Sequence, residues 1–204
     1  MIYNTTEKQR EYFYSMLTSE EKSLLKYIPT VNGLLDFAVE HFADLPAISD
    51  GKTTYTYKEL GERVAKRRGY LKSLNFNQGD RIAVFAPNTL DAMELYLAIV
   101  TSGYVSVMLP TQLNNTMLMG LCKKFDVSAL FYDNALEGVA KTSGVEAYTT
   151  DLIEADAISP ANVTKDTICS ICLTGGTTGT PKGAIMTHGA IMRGAFNGCF
   201  ISGG

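Results

Sequence analysis

The chain has 204 residues, is 46% hydrophobic and carries a formal net charge of −3 at pH 7. That length gives one large domain or two small ones, with enough apolar residues for a proper core. The mild acidity gives no electrostatic case for nucleic acid or a membrane surface. No apolar run approaches the ~18 residues of a membrane-spanning helix, and the polar start MIYNTTEKQREYFYSML has no signal-peptide apolar region. A cytoplasmic location is expected.

In chain order, residues 1–31 read as an N-terminal helical segment. Two short helices are predicted over 5–27, with Thr18-Ser19-Glu20-Glu21 as the capping signal of the second. Residues 32–152 read as an α/β subdomain. Leu34–Phe42 is a short amphipathic helix, and Asp50-Gly51 is a hairpin turn between Ala47–Ser49 and Thr53–Tyr55. Tyr57–Leu74 is a helix whose apolar face carries Leu60, Val64, Leu71 and Leu74. Its cations Arg63, Lys66, Arg67, Arg68 and Lys72 mostly lie off that stripe, so they are expected on a solvated face. Strands follow at Arg81–Ala86, Tyr104–Leu109, Val127–Tyr132 and Val145–Thr149, with helices at Leu90–Ser102 and Thr116–Phe125. Strands alternating with helices predict a mostly parallel sheet flanked by helices. The polar stretch 153–166 reads as a connector into the final segment, 167–204.

That final segment holds the most specific signal in the chain. Between the apolar runs Thr167–Leu173 and Ala184–Thr187 lies LTGGTTGTPKG, Leu173 to Gly183. An ordinary hairpin loop has about 2–5 residues. This one is longer and carries no apolar residue to pin it. Gly175, Gly176, Gly179 and Gly183 can take positive φ and bring the backbone close to a ligand. Successive N–H groups in such a loop form an anion-binding concavity. Thr174, Thr177, Thr178 and Thr180 add hydroxyls, and Lys182 adds a mobile point charge suited to phosphate. The Walker pattern needs Gly before Lys and Ser or Thr after it; here Pro181 precedes Lys182 and Gly183 follows it. GxGxxG and GxSxG are also absent.

Cysteine and histidine chemistry reads as structural. Cys169 and Cys172 form a CxxC, but residues three apart in a strand point to opposite faces. No second pair completes a zinc site. Cys122, Cys169, Cys172 and Cys199 are expected to act as free, small core residues. His188 follows Thr187, a plausible N-cap for a helix from Gly189. A structural or pocket-wall role is favoured over proton transfer, because no nucleophile or carboxylate is near in sequence.

The Gly/Thr loop resembles the signature loop of the adenylate-forming superfamily: acyl-CoA synthetases, nonribosomal peptide adenylation domains and luciferases. Its pattern, Thr-[Ser/Gly]-Gly-[Ser/Thr]-Thr-Gly-x-Pro-Lys-Gly, is matched at Thr174, Gly175, Gly176, Thr177, Thr178, Gly179, Pro181, Lys182 and Gly183. Three weaker stretches agree in order: Tyr55 to Leu60, Asp80 to Val84 with Pro87-Asn88, and Gly103 to Pro110. The resemblance covers about residues 32–200. It implies a partial N-terminal domain of the adenylate-forming fold, with a strand-loop-strand near the C-terminus. It also implies a two-step reaction: a carboxylate attacks the α-phosphate of ATP to give an acyl-adenylate and pyrophosphate, and a thiol, usually of CoA, then takes the acyl group. In the family's terms Thr174, Gly175, Gly176, Thr177, Thr178, Gly179 and Lys182 carry over as phosphate-contacting residues, and Lys182 as the group that stabilises the leaving phosphates. Mg2+ would bridge those phosphates. No residue of this chain is assigned as a metal ligand, because the family's magnesium-binding Glu, its adenine site and its catalytic C-terminal Lys lie downstream of the loop. A truncated product is therefore expected, with weak ATP binding and no adenylation by the isolated chain. A non-catalytic partner subunit and a fragment of a nonribosomal adenylation domain stand as alternatives. Which acid is activated, and the oligomeric state, stay open.

Overall fold

The computed structural model describes residues 18–20, 28–174 and 181–201, with only the backbone of 196–201. The two helices expected over 5–27 and the loop residues 175–180 lie outside the described residues. Helix α1 runs Val31–Phe42, earlier than the sequence suggests, because the Thr30 hydroxyl accepts the Gly33 N–H at 3.1 Å and caps it. Strands β1 (Pro46–Ser49) and β2 (Thr54–Thr56) form an antiparallel pair around Gly51, whose φ is +90°. Helix α2 (Tyr57–Ser73) opens on a capping box. Glu59 N–H donates to the Thr56 hydroxyl at 3.2 Å, and the Glu59 carboxylate accepts the Thr56 N–H at 2.8 Å.

The main sheet is built from β3 (Arg81–Phe85), β4 (Val105–Leu109), β5 (Val127–Tyr132), β6 (Glu146–Thr149), β7 (Ile168–Thr174) and β8 (Lys182–Thr187). Their order is β6-β5-β3-β4-β7-β8, and every neighbouring pair is parallel except the antiparallel β7–β8 hairpin. Helices α3 (Leu90–Thr101) and α4 (Asn115–Lys124) connect β3 to β4 and β4 to β5. A 3-10 turn over Asn134–Leu136 and the short α5 (Glu137–Ala140) connect β5 to β6. The first crossover moves one way along the sheet and the next two move back. With right-handed crossovers that puts α3 on one face and α4 and α5 on the other. The core follows: Ile82 and Val84 pack with Leu60, Val64, Leu95 and Ile99 of α2 and α3, while Ala83 and Phe85 pack with Leu118 and Leu121 of α4. The final helix, α6, spans His188–Ile201. Among the described residues no helix is long and apolar enough to cross a membrane.

Two sequence expectations fail here. The α2 cations are only partly a solvated face: Lys72 is exposed and Lys66 half-exposed, but the arginines turn inward. Arg67 and Arg68 are buried, at 2% and 7% exposure, and Glu94 of α3 is fully buried against them. Arg63 Nε and Arg67 Nε donate to the two Glu94 carboxylate oxygens at 2.6 and 2.9 Å. Arg67 also reaches Asp91 and the Thr150 carbonyl. Arg68 donates to the Ile158 carbonyl at 3.0 Å, which straps the connector onto the helix. The guanidinium groups sit off the apolar stripe but beneath a second helix and a strap. Their position on α2 alone could not show this.

The cysteine pair also departs from strict alternation. A β-bulge between Ile168 and Ser170 lets Cys169 pack with Val100 of α3. Cys169 and Cys172 then both bear on Tyr96, whose phenol is pushed up to about 12 by burial and, secondarily, by these thiols. Burial alone pushes the Cys122 thiol up to about 11, and with help from Cys172 it pushes Cys169 to about 12. Both stay protonated and pack as small apolar groups, as expected, whereas Cys172 is exposed. Cys199 lies outside the described side chains.

Candidate functional site

The β7–β8 hairpin flanks the Gly/Thr loop on both sides. Its pairs run from Ile168↔Thr187 to Thr174↔Lys182, so the hairpin stays zipped up to the loop itself. β7 pairs with β4 only at Ser106↔Ser170 and Val107↔Ile171. Cys172, Leu173 and Thr174 therefore run beyond that pairing, past Val107↔Ile171. Strand β8 begins at Lys182, two residues earlier than the sequence suggests. The Lys182 main chain is thus part of the strand, and its side chain is exposed.

Gly183 differs from its expected role. It sits in β8 opposite Leu173 and is not among the positive-φ glycines. A Cβ there would lie 2.6 Å from both Ile171 Cγ2 and Phe125 Cε1. The position needs glycine for close packing against Phe125, not for a ligand.

Of the predicted phosphate contacts, the structure places Thr174 and Lys182 across the mouth of the hairpin. Gly175, Gly176, Thr177, Thr178 and Gly179 lie outside the described residues. The Thr174 hydroxyl donates to the Lys182 carbonyl at 3.3 Å. The Lys182 side chain is exposed and has no acidic partner among the described residues. A lysine with no carboxylate to neutralise it, at the exit of a loop rich in N–H and hydroxyl donors, fits a polyphosphate. The described residues contain no cluster of His, Cys, Asp or Glu able to hold a metal ion.

Beside the hairpin root a crevice of about 500 Å³ opens at the carboxyl ends of β3, β4 and β7. Its walls include Pro87, Asn88, Met108, Pro110, Cys172 and Leu173. The crossovers leaving β3 and β4 go to opposite faces, so the crevice lies where an open α/β sheet binds ligands. Pro87-Asn88 and the Met108–Pro110 end of β4 belong to the weaker sequence stretches noted above. The fold gathers them with the loop root, although their separation in sequence hides this. A larger hollow of about 670 Å³ runs under Phe125, Gly183 and Ile185 towards Arg81 and Asp166, at the amino ends of the parallel strands.

His188 is fully buried at the start of α6. Thr187 caps that helix as expected, its hydroxyl accepting the Ala190 N–H at 3.2 Å. His188 Nδ1 accepts the Val31 N–H at 3.2 Å, which fixes the proton of the neutral ring on Nε2. Burial lowers its pKa from 6.5. The residue ties α6 to the first turn of α1, a structural role.

Comparison with known proteins bears on the whole segment. Residues 35–202 match the sequence profile of the family described as AMP-binding enzyme. The chain is 31% identical over 156 residues to a feruloyl-CoA synthase from Amycolatopsis, covering 74% of this chain and 32% of that one. It is 30% identical over 164 residues to malformin synthetase mlfA from Aspergillus niger, covering 79% of this chain and 3% of that one. The chain therefore spans about a third or less of these relatives. Its fold resembles that of o-succinylbenzoate CoA synthetase (MenE) from Bacillus subtilis, solved with the acyl-adenylate intermediate OSB-AMP. That match has a TM-score of 0.76 at 21% identity and covers 83% of this chain and 46% of the other.

Proposed function

The chain belongs to the AMP-binding enzyme family, as part of the N-terminal region of an adenylate-forming enzyme, and on that premise we propose that it supplies the phosphate-holding part of an AMP-forming acid–thiol ligase. A carboxylate oxygen attacks the α-phosphorus of ATP, the bond to the bridging oxygen breaks, and pyrophosphate leaves with the electron pair. Lys182, with the N–H and hydroxyl groups of Thr174 to Gly179, would hold the β- and γ-phosphates. Charge grows there as the bond breaks, so a preplaced cation lowers the barrier more than it strengthens ground-state binding. Magnesium, when bound to the phosphates, supplies further charge neutralisation. The observation that carries this reading is an exposed Lys182 with no acidic partner among the described residues, at a hairpin mouth held in register by Thr174.

The acceptor in the second step is proposed to be the thiol of CoA. The similarity to a feruloyl-CoA synthase supports it, while malformin synthetase relatives suit a carrier-protein thiol. The test is carboxylate-dependent exchange of labelled pyrophosphate into ATP by the full-length protein, over a panel of aryl, alkyl and amino acids. Exchange with one class and subsequent consumption of the acyl-adenylate by CoA is the expected result. Exchange with no acid overturns the adenylation reading. Exchange without consumption by CoA overturns only the acceptor.

A further inference from the structure

We propose that Lys124, at the end of α4, is a positioning residue that sets the direction in which Lys182 leaves the hairpin; the inference rests on the phosphate role proposed for Lys182. Lys124 Nζ donates to the Pro181 carbonyl at 2.6 Å. That carbonyl belongs to the peptide plane before the Lys182 Cα. The carbonyl of the next plane, that of Lys182 itself, accepts the Thr174 hydroxyl at 3.3 Å. Both planes flanking one Cα are thus held, and those two planes fix where its Cβ points. One residue further on, Gly183 is wedged against Phe125 and Ile171, so β8 cannot slide to relieve a change at Pro181.

The anchor is itself held from below. Phe125 N–H donates to the Leu121 carbonyl at 3.0 Å and closes α4. Asp126 then turns the chain into β5 at φ +50°. Arg81 Nε of β3 donates to the Asp126 carbonyl at 2.9 Å, and its guanidinium pairs with the Asp126 carboxylate. A lysine in the last turn of a helix is also favoured by the helix dipole. The sheet therefore reaches Lys182 through β3, the α4–β5 turn and Lys124, independently of the β7 pairing.

Two readouts test this. In the first, the chain is digested with trypsin and cleavage after Lys182 is measured against cleavage after Lys72. Lys124→Met should raise that ratio at least ~5-fold, the local opening expected when a fixed contact is lost. Lys124→Arg, which can donate to the same carbonyl, should leave it at the wild-type value. An unchanged ratio in Lys124→Met overturns the anchor. In the second, pyrophosphate exchange by the full-length protein should lose at least ~10-fold in rate constant in Lys124→Met, with the KM for the acid unchanged and recovery in Lys124→Arg. A misplacement of about 1 Å can cost about 100-fold, so this loss is in range. Faster cleavage with undiminished exchange overturns the positioning role. Absence of exchange in the wild type sinks the reading of the reaction and the positioning role with it, while the cleavage ratio still decides the anchor.

Discussion

At Gly183 and His188 the chemistry is decided by what surrounds one residue. Gly183 belongs to the signature pattern, yet its neighbours Phe125 and Ile171 leave no room for a methyl group. Gly183→Ala should lower stability by about 1–3 kcal/mol, the usual cost of overpacking, read as a fall in urea midpoint; an unchanged midpoint would show that Phe125 moves aside freely. At His188 the Val31 N–H points at Nδ1, so a protonated ring would put two donors face to face. Its pKa is lowered by burial, so the unfolded chain binds the extra proton first. The stability His188 contributes is full above the ordinary value of 6.5 and is lost as pH falls below it. Urea midpoints at pH about 7.5 and about 5.5 should differ more for the wild type than for His188→Asn. An equal difference would show that His188 does not titrate in this window.

Between elements, the α2–α3 contact is the least predictable part of the fold. Arg67 shares Glu94 with Arg63, and all three join helices that the sequence shows only as separate amphipathic runs. Removing Arg67 leaves a fully buried carboxylate with one partner. Arg67→Ala should cost about 3 kcal/mol, the low end for a broken buried pair because Arg63 still faces Glu94. The paired change Arg67→Met with Glu94→Leu should recover part of that loss in a thermal melt. A pair no better than the single change would mean that the Thr150 carbonyl and Asp91 contacts dominate. The strap over α2 makes a similar demand. A Cβ on Gly69 would lie 1.9 Å from the Asp156 carbonyl, so Gly69→Ala must lift the connector off the helix.

Across the whole molecule, what was legible in sequence depended on the range of the interaction. Capping residues act within three positions, so Thr187 marked the start of α6. Alternating helices and strands implied the parallel sheet, because crossover connections leave that order in the sequence. The strand order, the buried arginines and the bulge that turns Cys169 towards α3 depend on partners far along the chain, and no local pattern carries them. The site divides the same way. Gly/Thr spacing marked the loop, but the bond from Lys124 to Pro181 spans a sequence separation of 57 and has no motif.

The central claim is that Lys182 stabilises the departing pyrophosphate. The most direct measurement is pyrophosphate exchange in the full-length protein carrying Lys182→Ala. Removal of one preplaced donor to developing charge costs about 100- to 1,000-fold in rate. A loss of that size, with the KM for the acid little changed, is the predicted result. Exchange at the wild-type rate would contradict the claim.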